Sequence, residues 1–278
     1  MKRFKPLFAV LLLTAGQASA LTIQFDYRYD SAGFFDTAKR GVLNSAADVW
    51  ESQIAANTLS LFSGGLPMMN PTTGSMTLWM DTIPVDTVIV AVGANSSVPL
   101  SNAYTTDAWN STASGRAFGP SAASIAFNSN NAAWYVDDDP STQENFSGRY
   151  DLYSTALHEL GHVLGYGIAP DWISNSHGGS FTGQKAAAAY GGPVPLTADL
   201  AHWESGLPGF TDGSLSVMVA ALTKNERLQF SDLDRLGLLD SGWSPAAAAV
   251  PLPGGLVLFL SGLFVFFGRI LKPAQARV

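Results

Sequence analysis

The stretch from Tyr150 to Gly165, YDLYSTALHELGHVLG, limits the fold of this chain more than any other feature. Its apolar residues recur at helical spacing, which predicts an amphipathic helix packed against a core. His158 and His162 are four residues apart, so both imidazoles lie on one side of that helix, one turn apart. A pair with this spacing can provide two nitrogen ligands for a tetrahedral zinc ion.

Glu159 follows the first histidine directly and lies about 100° around the helix from it. At that angle the carboxylate does not join the ligand pair, but it can reach a water on the metal. We therefore predict that His158 and His162 are zinc ligands and that Glu159 is the general base. The alternative is an ordinary amphipathic helix that carries H-E-x-x-H by chance. Such a helix would bury two histidines without partners, which is costly.

Gly165 stands three residues after His162, where a glycine can adopt the left-handed conformation and end the helix sharply. A sharp end lets the chain turn beneath the metal and return with a further ligand. The pattern H-E-x-x-H-x-x-G-x-x-H would place that ligand at position 168, which is occupied by Ile168. The third ligand therefore comes from elsewhere, or the site lacks one.

Three residues are candidates for the third ligand. His177 lies in a flexible polar loop, SNSHGGS, which has nothing to hold its ring. Glu226 precedes Ser231, a predicted helix N-cap, and therefore lies in a loop rather than on a ligand-bearing helix. His202 is followed by Trp203, a large side chain that can anchor its segment.

Five segments together carry a resemblance to a known family. They are HELGHVLGYG at 158–167, FTGQKAAAAYGGPVPL at 181–196, AHW at 201–203, SVMVAAL at 216–222 and FSDLDRLGLLDSGW at 230–243. In these segments the chain resembles the leishmanolysin-like branch of the metzincin zinc proteases. The resemblance covers about residues 150–243, and it includes a long insertion before the third histidine. It implies that His202 is the third ligand and that Met218 lies beneath the metal.

The resemblance also implies a fold and an activity. The expected fold class is α+β: a two-lobed catalytic domain over residues 21–243, with a mixed sheet, an active-site helix, a methionine turn and a C-terminal helix. The expected activity is zinc-dependent endopeptidase, with Zn²⁺ as cofactor and a protein or peptide as substrate. The alternative is a surface or matrix-binding protein that kept the fold and lost hydrolysis. The intact Glu159 favours the enzyme.

Periodicity and turn residues predict the secondary structure of the remaining segments. Alternating apolar residues predict strands at 21–28, 76–80 and 86–93, and helical spacing predicts a helix within 33–56. Residues rich in Ser, Asn, Thr, Ala and Gly predict loops over 94–121.

A hairpin is predicted from 123–130 and 132–136, with 123–128 as the sheet edge that would pair with substrate. The acidic turn DDDPST at 137–142 is interpreted as solvated, because it lacks the oxygen spacing of a calcium loop.

Both ends of the chain are apolar. Residues 1–20 have the basic start, apolar stretch and Ala18-Ser19-Ala20 cleavage site of a signal peptide, so we predict export, with the mature chain starting near Leu21. Near the other end, residues 254–270 predict a transmembrane helix, and residues 271–278 a basic cytoplasmic tail.

The C-terminal region resembles a PEP-CTERM sorting signal. The linker 244–253 ends in V-P-L-P, and the apolar segment and basic tail follow it. The resemblance implies an exosortase-type processing enzyme as a partner, and a location in the envelope of a Gram-negative cell or outside it. Leu252 stands where such signals usually have Glu.

Charge and cysteine content exclude several functions. The net charge is −7, and the two end segments hold six of the fifteen basic residues and no acid. The middle therefore has nine basic and twenty-two acidic residues, a net charge of −13. Such a surface repels phosphate backbones, so nucleic acid is not an expected partner. The chain has no cysteine, which excludes thiolate ligands, a catalytic cysteine and disulfides.

Overall fold

A four-stranded sheet forms the centre of the computed structural model. The structure describes residues 20–56, 63–106, 119–137, 139, 141–142, 145–210 and 215–246. The strands of the central sheet are, in chain order, β1 (Thr22–Asp26), β5 (Thr87–Ala94), β6 (Ser101–Thr106) and β7 (Ala122–Phe127). Their spatial order is β1-β5-β7-β6. The first three in this order are mutually parallel, and β6 runs antiparallel to β7 at one end of the sheet.

Two helices cover one face of this sheet. Helix α1 (Thr37–Gln53) begins at Asp36, whose side chain accepts a hydrogen bond from the Lys39 amide, and it buries Val42, Leu43, Ala46 and Trp50. Helix α2 (Leu152–Val163) packs beside it in the same hydrophobic core. The inner strand β5 is buried almost throughout, as expected for a parallel strand covered on both faces.

A hairpin covers the opposite face of the sheet. It is formed by the antiparallel strands β3 (Leu66–Met69) and β4 (Met76–Trp79), whose inward side chains join a second, smaller core. Because side chains alternate along a strand, β5 supplies residues to both cores: Val90 to the helical side and Ala91 to the hairpin side.

The other described elements are short. Strands β2 (Ile54–Ala55) and β13 (Ser244–Pro245) pair with each other, as do β8 (Trp134–Tyr135) and β9 (Tyr150–Asp151). Residues 131–133 form one turn of 3₁₀ helix. After α2 come α3 (Pro170–Asn175), β10 (Ser176–His177), β11 (Ser180–Phe181), α4 (Gln184–Tyr190), β12 (Val194–Pro195) and α5 (Asp232–Asp240). Strands β10, β11 and β12 form a small antiparallel sheet.

The predicted fold class needs correction. Three mutually parallel strands packed against helices make this a mixed α/β arrangement rather than the α+β class predicted above. The described residues up to Ala246 belong to one unit, so the two predicted lobes are not separate units. Residues 247–278 form a second unit, and all of them lie outside the described residues.

The predicted transmembrane helix is not found among the residues that the structure describes. Among them, no helix is both long enough and apolar enough to cross a membrane. The 17-residue helix α1 carries Lys39, Arg40 and Glu51 and uses its apolar face to cover the sheet. The predicted span 254–270, the tail 271–278 and the V-P-L-P motif lie outside the described residues, as do residues 1–19.

Several strand predictions were wrong because the chain pairs over long distances. Strand β6 lies within 94–121, which was predicted as loop. The predicted hairpin of 123–130 with 132–136 does not form, since β7 pairs with β5 and β6 while β8 pairs with β9. Strand β7 is therefore an inner strand, and the edge on this side of the sheet is β6.

Candidate metal centre

Helix α2 carries two of the predicted ligands from the core of the molecule. Its N-cap is Asp151, whose side chain accepts hydrogen bonds from the Ser154 amide and hydroxyl. The helix ends at Val163, and Gly165 follows with a φ of 126°. Few side chains tolerate this backbone conformation, so a glycine here allows the chain to turn away directly after the second histidine.

Three imidazoles meet beside this helix. The Nε2 atom of His162 lies 3.1 Å from Nε2 of His158 and 3.0 Å from Nε2 of His202. Ligands about 2.0–2.1 Å from a tetrahedral ion stand roughly 3.3 Å apart, close to these separations. Among the described residues, these three histidines form a group that can hold a metal ion.

The two histidines of the helix use their other nitrogen to contact backbone carbonyls. Nδ1 of His158 lies 2.8 Å from the carbonyl oxygen of Val217, and Nδ1 of His162 lies 3.1 Å from that of Tyr166. A carbonyl oxygen only accepts hydrogen bonds, so each Nδ1 carries the proton and donates it. Each Nε2 therefore presents a bare lone pair to the common centre, which is the form in which histidine binds metals.

His202 has a carboxylate at the corresponding position. Its Nδ1 lies 2.9 Å from Oδ2 of Asp199, which fixes the same tautomer and ring orientation. The other oxygen of Asp199 accepts hydrogen bonds from the Thr197 hydroxyl and the Ala201 amide. Partial burial raises the pKa of Asp199, but these three donors outweigh it and lower the pKa to about 2.

Burial keeps the helix histidines neutral. Desolvation lowers the pKa of His158 to about 4, opposed by its hydrogen bond to Val217. Desolvation likewise lowers the pKa of His162 to about 4, assisted by the neighbouring His158 and His202. Both imidazoles are thus unprotonated at neutral pH, so a metal does not have to displace protons from them.

A close backbone contact brings the segment of His202 up to the helix. Gly167 has a φ of 78°, and a Cβ at this position would lie 2.5 Å from Cβ of Ala201. A glycine is therefore required where the chain leaving the helix passes the residue before the third histidine. Trp203, the residue after His202, belongs to a cluster of buried aromatic rings with Tyr166, Trp172 and Phe181.

Met218 lies fully buried beneath the helix. A Cβ on Gly161 would collide with the sulfur of Met218, so the glycine between the two helix histidines is needed for this contact. The buried carboxylate of Asp234 accepts hydrogen bonds from the amides of Val217 and Met218 and from the hydroxyl of Ser216. It thereby holds the segment whose Val217 carbonyl orients His158.

Glu159 is buried and hydrogen-bonded at the side of the centre. Its Oε1 accepts a bond of 2.6 Å from the hydroxyl of Ser101, the first residue of β6. Its negative charge acts on His162, where it favours the protonated form and so raises the pKa. The carboxylate therefore contacts β6, at the edge of the described sheet, and is near enough to His162 to influence its pKa.

The other ligand candidates are not in this group. His177 is exposed in β10, and Glu226 accepts a hydrogen bond from Thr223 in the loop before α5. The predicted capping box of α5 is present, with Ser231 as N-cap and Asp234 at the third position of the helix. Ile168 is 40% exposed and lies just beyond the turn that follows α2.

The acidic turn is bound by an arginine. The Nη1 atom of Arg227 lies 3.1 Å from Oδ2 of Asp137 and donates to the carbonyls of Asp139 and Thr142. Its Nε and Nη2 bind both oxygens of Asp151, the N-cap of α2, at 3.0 Å each. A buried guanidinium thus links this turn to the start of the ligand-bearing helix, and the described part of the turn is not simply solvated.

Two residues of the site were not found from the sequence. Asp199 stands three residues before His202, a spacing at which a carboxylate can reach the Nδ1 of a ligand, and this signal could have identified it. Ser101 had no such signal, because 58 residues separate it from Glu159 and only the fold of β6 brings them together.

A scan against protein-family models and a search of the curated proteins both found no match for this chain.

Proposed function

We propose that this protein is a zinc-dependent endopeptidase, with His158, His162 and His202 as metal ligands and Glu159 as general base. The observation that carries the proposal is the convergence of three Nε2 atoms beside a buried carboxylate. Neutral imidazoles suit Zn²⁺, and three protein ligands with an open fourth position are typical of catalytic rather than structural zinc sites. The proposed function agrees with the metzincin resemblance of residues 150–243.

In this proposal the metal and the protein have separate tasks. A zinc ion held by the three histidines supplies Lewis-acid activation of water and of the scissile carbonyl. Glu159 takes a proton from the attacking water as the oxygen–carbon bond forms. It then gives that proton to the amide nitrogen as the carbon–nitrogen bond breaks. Val217, Tyr166 and Asp199 hold the imidazoles in place during both steps.

The substrate is proposed to be an extended peptide paired with β6. This strand ends the described part of the sheet, has β7 on one side, and starts at the residue that contacts Glu159. An extended segment can add to such an edge through main-chain hydrogen bonds. Strand β6 thus replaces residues 123–128 as the proposed substrate edge, and it lies close to helix α2.

Export is proposed from the predicted signal peptide. The predicted mature chain, from Leu21, contains the whole of the described central sheet, because β1 begins at Thr22. N-terminal sequencing of the protein recovered from an expressing Gram-negative host tests this proposal. A first residue near Leu21 is expected.

The catalytic proposal is tested by metal analysis and casein cleavage on four purified proteins. The wild type should contain about one zinc ion per chain and cleave casein. Glu159→Gln should keep the zinc and lose activity by roughly a hundredfold or more. His202→Ala should lose the zinc, whereas His177→Ala, an exposed control, should behave like the wild type.

Each unexpected result has a defined meaning. Full zinc content in His202→Ala would remove His202 from the ligand set. Zinc without cleavage in the wild type would favour a metal-binding surface protein that does not hydrolyse peptides. No zinc in the wild type would contradict the proposed function as a whole.

A further inference from the structure

The hydrogen bond between Ser101 and Glu159 joins the sheet edge to the proposed catalytic base. The distance from the serine Oγ to the Oε1 of Glu159 is 2.6 Å, within the range for a hydroxyl that donates to a carboxylate. The two residues belong to different elements, β6 and α2. We propose that Ser101 is a positioning residue that holds the carboxylate of Glu159 in its catalytic orientation, an inference that rests on the proposed function.

The backbone around Ser101 is fixed independently of Glu159. The Asn128 amide donates to the carbonyl of Leu100 at 2.7 Å, and the Asn128 side chain donates to the carbonyl of Val98, also at 2.7 Å. Ser101 itself pairs in register with Phe127, which is fully buried in the core. The hydroxyl is therefore presented from an anchored strand end.

A glutamate needs such a partner if it is to act as a base. Its side chain has three rotatable bonds, and a displacement of about 1 Å at a reacting group can cost on the order of a hundredfold in rate. A fixed partner for Oε1 limits that displacement, which is the contribution that we assign to Ser101.

Ser101 also belongs to the strand at which the substrate is proposed to bind. It is the first residue of the strand along which the peptide is proposed to pair, so one short segment locates both the peptide and the carboxylate. A strand end that carries both can keep the base in register with the bond to be cut.

The test uses the full zinc-loaded protein with Ser101→Ala and Ser101→Thr. In Ser101→Ala we expect kcat to fall about tenfold to a hundredfold, while KM and zinc content stay near the wild-type values. Ser101→Thr keeps the hydroxyl and should recover most of kcat. Ser97→Ala, an exposed serine four residues upstream, is the matched control and should match the wild type.

A second readout does not need turnover. Acetohydroxamate binds zinc through two oxygens and transfers its proton to a neighbouring carboxylate, so its affinity reports whether Glu159 is in position. By calorimetry, Ser101→Ala and Glu159→Gln should each bind it about tenfold more weakly than the wild type, the loss expected for one hydrogen bond to a charged group. Ser101→Thr should bind it nearly as well as the wild type.

The two proposals fail in different ways. Wild-type kcat and wild-type hydroxamate affinity in Ser101→Ala would overturn the role of Ser101 and leave the peptidase proposal standing. An equal loss of kcat in Ser101→Ala and Ser101→Thr would also overturn it, because the hydroxyl would then not matter. If the wild type cleaves nothing, the peptidase proposal fails and the catalytic role of Ser101 fails with it, and hydroxamate affinity then shows only whether Ser101 orients the Glu159 carboxylate.

Discussion

The candidate centre takes its ligands from two regions that are built differently. His158 and His162 belong to a buried helix whose N-cap, Asp151, is paired with Arg227, and the side chains of this pair are each 1% exposed. His202 comes from a loop, and its partner Asp199 has a side chain that is 51% exposed. The helix ligands are therefore positioned by the core of the fold, and the loop ligand by local hydrogen bonds. Damage to the first region should reduce stability, and damage to the second should reduce metal affinity.

The largest effect is expected from Arg227→Ala, on the helix side. This change leaves the buried Asp151 without its ion-pair partner and frees the acidic turn at Asp137. We expect the free energy of unfolding, measured by urea denaturation, to fall by about 3–5 kcal/mol. The matched control is Arg235→Ala, whose half-buried pair with Asp232 should contribute less than about 1 kcal/mol. Equal losses in the two variants would contradict the proposed difference between the regions.

How much of the fold can be predicted from the sequence depends on how far apart along the chain the interacting residues are. Helix α2 and its two histidines follow from local periodicity, and the capping box of α5 follows from Ser231 and Asp234, since both signals act within a few residues. The pairing of β6 and β7 is not encoded locally. An alternating pattern predicts that a segment is extended, but it does not identify the strand with which that segment pairs.

The site shows the same limit. Spacing alone identified His158, His162 and Glu159 as candidates, while His202 was chosen by family resemblance and by the adjacent Trp203. The link from Ser101 to Glu159 and the carbonyl of Val217 required the folded chain, because each joins segments that are 58 or 59 residues apart.

An intermediate effect is expected from Asp199→Ala, on the loop side. Without the carboxylate, the ring of His202 loses the partner that fixes its orientation. We expect zinc affinity, measured by competition with a chelator, to fall about tenfold to a hundredfold. Urea denaturation of the metal-free variant should stay close to that of the wild type, because Asp199 is half exposed. A large loss of stability with unchanged affinity would reverse the proposed roles of the two regions.

The smallest effect is the pH dependence of the metal-free protein. The pKa values of His158 and His162 are lowered to about 4 in the folded state, against about 6.5 in an unfolded chain. Below pH 6.5 the unfolded chain therefore binds protons that the folded chain does not, and stability falls as the pH is lowered from about 6.5 to about 4. Between pH 7 and pH 6 we expect a loss of about 1–2 kcal/mol by urea denaturation.

The control for this pH dependence is the double variant His158→Asn with His162→Asn, in which most of the loss should disappear. His177→Asn changes an exposed histidine and should keep the wild-type dependence. If the double variant and the wild type lose stability equally with falling pH, groups outside the helix cause the effect.

Gly167 lies close to Ala201, so the segment between them begins and ends at neighbouring points of the structure. Within this segment, Gly178 and Gly179 form an exposed turn, and both have positive φ values, of 57° and 77°. Added length in such a loop costs little, about 0.6 kcal/mol for each doubling. A reporter peptide could therefore be inserted between these two glycines with the distance between His162 and His202 unchanged, which gives the protein a ready attachment point for a label.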